Sequence, residues 1–218
     1  MSIFGYNEIM IMFKKILKTI LMLTLLAGIM SLLRFFISGY SSYLWLNWNL
    51  VLALVPLPLA VFAIRTKKHW LAFVWIVLWL GFLPNAPYLV TDFIHLADVG
   101  PKSLLWYDAL MIFVYSFVGV GSWIMSLHIL RTHFKWKVWV VWLIAFLTGF
   151  GIYLGRYIRF NTWNLITHPG DVLGKIGDVI IHPFNHEPAI MMTLTFSIVL
   201  SIIYLSITPL ISHEKTSH

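Results

Sequence analysis

Six apolar stretches, each close to the roughly 20 residues needed to cross the hydrocarbon core of a bilayer, dominate this chain. They lie at about 17–37, 48–64, 70–96, 104–130, 136–157 and 189–210. In lipid no water is at hand to satisfy backbone amides and carbonyls, so stretches of this length are helices. The predicted fold class is therefore all-α: a polytopic membrane helix bundle of about six transmembrane helices, with a broken third helix and a short outer interfacial helix. Composition agrees. Of 218 residues, 60% are apolar and 11% charged, too few charges to cover a soluble domain of this size, and the mean hydropathy is +0.87. The chain has no cysteine, which excludes disulfides, thiolate metal sites and cysteine nucleophiles.

Lys14, Lys15 and Lys18 precede the first stretch in the manner of a signal peptide, but the apolar run is too long for a typical signal core and no cleavage site follows it. It is expected to be a retained helix. Residues 1–16 then form a cytoplasmic N-terminal segment, 17–211 a single bundle domain and 212–218 a cytoplasmic tail. Lys and Arg set the orientation. Ten of the fifteen flank one side, including the turns "RTKKHW" and "RTHFKWK", against five on the other. The richer side is expected to be cytoplasmic, with both termini on it and the bacterial cell membrane as the location. The net charge of +7 is thus accounted for by membrane orientation, and no nucleic-acid partner is expected. Of the eight acidic residues, Asp92, Asp98, Asp108, Asp171, Asp178 and Glu187 fall on the outer side.

The third stretch is interrupted by "PNAP". Pro84 and Pro87 each lack an amide donor and disfavour helix in the residue before them. The interruption lies about 14 residues from the inner flank, roughly 21 Å at 1.5 Å per residue, still inside a core of about 30 Å. Non-helical backbone is tolerated there only when buried in protein or lining a wet cavity, and helix is expected to resume from Tyr88 to Leu96. In the longest loop, Val172, Leu173, Ile176, Val179 and Ile180 recur at helical spacing and predict a short amphipathic helix on the outer leaflet, ended by His182-Pro183. Small residues on the fifth helix (Gly149, Gly151, Gly155) and on the fourth (Gly119, Gly121, Ser122, Ser126) predict close packing of helix five near helix four.

Ionisable residues at membrane depth are costly, so they pair or serve a function. Asp92 and His95 are three apart and Thr91 and His95 four apart, spacings that share a helix face. Asp108 opens the fourth helix, Arg156 and Arg159 end the fifth, and Asn161, Trp163 and His168 follow. Either arginine with Asp92 or Asp108 would make an ion pair, and arginine forks suit phosphate and carboxylate groups. Arg34 is expected to snorkel at the end of the first helix. Asp92, His95, Asp98 and His168 supply oxygen and imidazole donors, but D-x-x-H is short and common, so no metal and no cofactor is assigned. His69, His128 and His133 are expected at the inner interface.

The stretches "FLPNAPYLVTDFIHL" (82–96), "WYDAL" (106–110) and "GIYLGRYIRFNTWNLITHP" (151–169) together resemble the domain of unknown function 1361 family of bacterial membrane proteins, over roughly residues 45–210. The positions that carry the likeness are Pro84, Asn85, Pro87, Thr91, Asp92, His95, Asp108, Gly155, Arg156, Arg159, Asn161, Trp163 and His168. The family pattern has Asn at the last of these, which counts against His168 as a metal ligand. The resemblance implies a multi-pass membrane protein and hands over no activity. The residues themselves point to an extracytoplasmic polar pocket that binds or modifies an anionic or lipid-linked substrate, with Asp92, His95 and Asp108 as candidate catalytic groups and Asn85, Arg156, Arg159, Asn161 and Trp163 as candidate binding groups. The alternatives are a small-solute or ion permease and a non-catalytic membrane assembly or regulatory partner.

Overall fold

The computed structural model describes residues 3–39, 43–97, 102–158, 167, 169–182 and 185–213. Every regular element among them is helical. Helix α1 runs Ile3–Ser38, α2 Trp45–Leu54, α3 Pro56–Arg65, α4 His69–Phe82 and α5 Asn85–Tyr88, and a 3-10 segment follows over Leu89–Ala97. A 3-10 turn at Lys102–Leu104 leads into α6 (Leu105–Phe134), followed by α7 (Trp139–Arg156), α8 (Pro169–Ile181) and α9 (Glu187–His213). Six of these runs are long and apolar enough to span a membrane: Lys14–Ser38, Trp45–Arg65, His69–Leu96, Lys102–Phe134, Trp139–Arg156 and Glu187–Thr208. The protein is a multi-pass helix bundle, as the six apolar stretches predict.

The fourth span is the axis of the bundle and the most buried of the six. Its hydroxyls need acceptors away from water, and they find them on helix carbonyls. Ser116 Oγ donates to Leu89 O at 3.0 Å, Ser122 Oγ to Ala53 O at 2.7 Å and Ser126 Oγ to Trp123 O at 3.1 Å. Pro56 interrupts the second span between α2 and α3, where Val55 N turns back to Leu52 O. The tryptophans Trp45, Trp48, Trp70 and Trp106 point outward, in keeping with an aromatic belt.

Small residues do mark close approaches, but not the expected ones. A Cβ on Gly119 would overlap Ala86 O, one on Gly151 would lie 2.8 Å from Pro84 Cβ, and one on Gly149 2.7 Å from Thr193 O. The glycines of α6 and α7 therefore seat the proline-bearing stretch of the third span between them, and α7 packs its other glycine against α9. Helices four and five are joined instead by Trp123 Nε1 donating to Thr148 Oγ1 at 3.0 Å. Helix five thus does lie near helix four, but Gly119 and Gly151 face the third span rather than one another.

The predicted amphipathic helix is α8. Val172 and Val179 are buried, and Val179 packs with Tyr153 and Ala189, whereas Leu173 is exposed. A second polar chain holds it: Tyr153 Oη lies 3.1 Å from His186 Nδ1, His186 Nε2 3.1 Å from Asp178 Oδ2, and His182 Nδ1 3.3 Å from Asp178 Oδ1. A carboxylate accepts only, so His186 donates to Asp178 through Nε2 and accepts from Tyr153 through Nδ1. The His186 and His182 contacts hold the Asp178 carboxyl below its usual value of 3.8. An acid with a depressed pKa stabilises the fold fully above its ordinary value and loses that contribution as pH falls through the depressed one. The part that Asp178 plays in docking α8 is therefore expected to be complete above 3.8 and to be lost below it. Amide exchange of α8, measured against α7, would report this, and equal relative protection at pH 6 and pH 3 would contradict it.

Candidate functional site

The third span breaks at its prolines: α4 ends at Phe82 and α5 begins at Asn85. Leu83 and Pro84 between them keep right-handed helical dihedrals, and Tyr88 N donates to Pro84 O at 3.1 Å. Ala86 N turns to Leu83 O at 3.1 Å, which frees Phe82 O, and Asn85 Nδ2 donates to that carbonyl at 3.0 Å. The expected break is thus present, and the backbone across it stays close to helical, with an asparagine amide on the freed carbonyl. Asn85, a candidate binding residue, has at least this structural task. The expected α-helix beyond is instead 3-10 for nine residues, far longer than the three or four usual for that geometry. With three residues per turn, Leu89, Asp92 and His95 stack on one row and Tyr88, Thr91 and Ile94 on the next.

Arg156, the last residue of α7, clasps both rows. Its Nε donates to Thr91 Oγ1 at 2.9 Å, Nη2 reaches Thr91 Oγ1 and forms the ion pair with Asp92 Oδ1, and Nη1 lies 3.2 Å from His95 Nε2. Arginine cannot accept, so His95 Nε2 accepts and Nδ1 carries the ring proton. The guanidinium also sits over the Tyr88 ring, 4.4 Å from its centroid, a cation–π contact. Asp92 is buried, while the Arg156 side chain keeps 13% of its surface open. The other carboxylate oxygen, Asp92 Oδ2, is buried without a hydrogen-bond partner among the described residues. The Asn49 side chain stands beside this carboxylate as a further donor. His95 is half-buried, and its ring meets the edge of Trp45 at 5.1 Å.

Asp108 is elsewhere engaged. Arg34 Nε donates to Asp108 Oδ1 at 2.5 Å and Nη2 to Oδ2 at 3.0 Å, with both residues buried. Two expectations are corrected here. Arg34 does not snorkel but enters the bundle, and Asp108 pairs with it rather than with Arg156. Both oxygens of Asp108 are occupied by a fork from the first span, which leaves the carboxylate unsuited to proton transfer at the Asp92 cluster. Tyr43 links the two pairs: its ring centroid lies 5.7 Å from Arg34 Cζ, and its hydroxyl is 3.5 Å from His95 O.

Of the candidates read from the sequence, Thr91, Asp92, His95 and Arg156 converge. Arg159, Asn161 and Trp163, with Asp98 and His168, lie outside the described residues. Tyr43, Tyr88 and Asn49 were not singled out as site residues, and Arg34 was assigned to the interface. Arg34 carried a signal, because Leu32, Leu33, Phe35, Phe36 and Ile37 surround it, and a residue flanked by apolar neighbours on both sides is placed within a span rather than at its end. At the opposite end His128 is packed against Tyr204, with Nδ1 3.4 Å from its hydroxyl, rather than standing free at the interface.

No match was found among curated proteins or among solved structures. The family model described as "Protein of unknown function (DUF1361)" matches residues 48–203, a stretch that takes in every residue of the Arg156 clasp, and this chain belongs to that family.

Proposed function

We propose that the Arg156 end of the bundle is a binding site for an anionic, lipid-linked group, facing away from the cytoplasm. The observation that carries this reading is the clasp itself. Three side chains of one 3-10 segment converge on a guanidinium from another span, at a depth where ionisable groups are costly, and the guanidinium keeps an open edge. Of the five donors that arginine presents in a fixed fork, four go to Thr91, Asp92 and His95, and the one left on Nη1 suits a phosphate oxygen. Asp92 Oδ2 is the free lone-pair group of the cluster. His95, protonated at Nδ1, is a donor in this arrangement, so any proton acceptance falls to Asp92.

The packing beneath the site favours binding over conduction. Trp79, Leu83, Trp123 and Leu127 are fully buried there, and Ser122, Ser126 and Thr148 turn their hydroxyls onto helix carbonyls. The reading is tested by Arg156→Lys, which keeps the charge and loses the fork. Native mass spectrometry in detergent is expected to show an anionic lipid, phosphatidylglycerol, bound to the parent protein over neutral phosphatidylcholine. Binding should be about tenfold weaker in the variant, the scale of one charge-assisted hydrogen bond. Equal binding by both proteins, with the fold retained, would leave the clasp as a brace between spans three and five.

A further inference from the structure

We infer that the end of the bundle opposite Arg156 carries a second anion site, built on Arg131, for a phosphate group at the membrane surface. Helix α6 ends at Phe134 and α7 begins at Trp139, so the turn between them lies at the far end of α7 from Arg156. Arg131 sits in the last turn of α6. Its Nε donates to Trp136 O at 3.4 Å and its Nη1 to Tyr204 Oη at 3.5 Å, with Cζ 5.7 Å from the Tyr204 ring centroid. Both bonds are long for their kind, and both acceptors are neutral. With its oxygen accepting from Arg131, the Tyr204 hydroxyl turns its proton to His128 Nδ1 at 3.4 Å, so this chain of contacts ends on a neutral ring. Arg34 and Arg156 each face a carboxylate, and Arg131 faces none among the described residues. Nη2 has no partner there, yet it is not sealed. The unpartnered buried side-chain atoms among the described residues are Trp79 Nε1, Asp92 Oδ2, Thr193 Oγ1 and Ser201 Oγ, so Nη2 of the half-buried Arg131 reaches the surface.

The surroundings select an anion. Lys135 and Lys137 are exposed in the same turn, and Arg65, Lys67 and Lys68 are exposed in the turn between α3 and α4 at the same end. None of these five forms an ion pair among the described residues. Exposed lysines follow from membrane orientation alone. A guanidinium held between α6, the turn and α9 by neutral groups does not, since an arginine serving orientation only would carry its fork out to water. The fork left open, both N–H groups of Nη2 and one of Nη1, suits phosphate oxygens. Its level suits them too. Arg131 lies three residues inside the end of the fourth span, Lys102–Phe134, or about 5 Å at 1.5 Å per residue. Exposed Trp139 stands at the same end, as interfacial tryptophans do. Basic notches between spans at this level take lipid headgroups. A zwitterionic headgroup brings an ammonium that this field repels, so the ligand carries net negative charge. This site does not rest on the Arg156 reading, and either can fail alone.

The experiment is photocrosslinking of the full chain in phosphatidylcholine vesicles. A trace of phosphatidylglycerol or of phosphatidylcholine carries a diazirine at the glycerol end of one acyl chain, and the labelled peptides are mapped by mass spectrometry. The quantity read is the labelling of a peptide by the phosphatidylglycerol probe over that by the phosphatidylcholine probe. For residues 131–139 this ratio is expected to exceed the ratio for residues 65–69 about tenfold, the scale of a hydrogen bond to a charged group. The 65–69 turn is basic but holds no guanidinium between helices, so it reports the diffuse field in the same sample. Arg131→Gln is expected to bring the two ratios together while the ratio beside Arg156 stays as it was. The comparison of the two turns in the parent protein needs no variant, so it decides even if Arg131→Gln fails to fold. Equal ratios at the two turns in the parent overturn the inference, as does a preference at 131–139 that survives in folded Arg131→Gln. Excess glycerol 3-phosphate that erases the preference supports the phosphate site and assigns its source to solution. A preference that persists against it supports the site and assigns the source to the bilayer.

Discussion

Replacing Arg34 by alanine is expected to cost this protein about 3–5 kcal/mol of stability, the range for breaking a buried ion pair from one side. Asp108 is fully buried, and both of its oxygens are held by the Arg34 fork. Removing the guanidinium leaves a carboxylate in a low-dielectric interior with neither charge nor donor opposite it. Removing both charges is a different matter. A buried pair replaced by apolar side chains of similar volume is often neutral or stabilising, so Arg34→Met combined with Asp108→Leu should recover most of the loss. Thermal or denaturant unfolding in a mild detergent reads all three proteins. If Arg34→Ala unfolds within about 0.5 kcal/mol of the parent, the ordinary range for surface substitutions, the pair does not hold spans one and four together.

The contrast with Arg156 separates brace from site. The Arg34 fork satisfies both oxygens of its partner and is closed to solvent. The Arg156 clasp leaves one oxygen of Asp92 unfilled and keeps an open edge on the guanidinium. The double apolar replacement that spares stability at Arg34 and Asp108 should spare lipid binding as well. The same treatment of Arg156 and Asp92 should abolish it at that end.

Hydropathy alone made the spans legible, because lipid imposes length and helicity on any segment that crosses it. The residues that cluster at Arg156 were legible too, since Thr91, Asp92 and His95 lie within five positions and an arginine at a helix end is conspicuous. Three things were not. The period of the segment was hidden, because D-x-x-H shares a face at three residues per turn as well as at 3.6. The partner of Asp108 was hidden, because Arg34 lies 74 residues away and the choice between arginines is made by packing. The small-residue pattern on α6 and α7 announced a close approach without naming what approaches. A glycine shows that a neighbouring backbone comes near, and only the tertiary structure shows that the neighbour is the proline-bearing stretch of span three.

That last point gives the second large effect. Gly119→Ala is expected to destabilise the protein by about 3 kcal/mol, the upper part of the usual range for overpacking. The new Cβ would sit 3.0 Å from Ala86 C, 3.2 Å from Leu89 Cδ1 and closer still to Ala86 O. Two of these atoms are backbone, so no side-chain rotation relieves the overlap, and spans three and four must part. One turn earlier on α6, Ser116 holds Leu89 O at 3.0 Å, and Leu89 opens the 3-10 segment that carries Thr91, Asp92 and His95. Parting the helices at Gly119 therefore also displaces the Arg156 clasp, and lipid binding should fall together with stability. Gly121→Ala, on the same helix, is the control. Its Cβ would meet Ile20 Cγ1 at 3.7 Å and Cδ1 at 3.8 Å, ordinary contacts, and alanine is favoured over glycine inside a helix by about 0.5–1 kcal/mol. Unfolding and lipid titration of the two variants side by side should thus move in opposite directions. A Gly119→Ala protein as stable as the Gly121→Ala protein would mean that the third span is not wedged against α6 at Ala86.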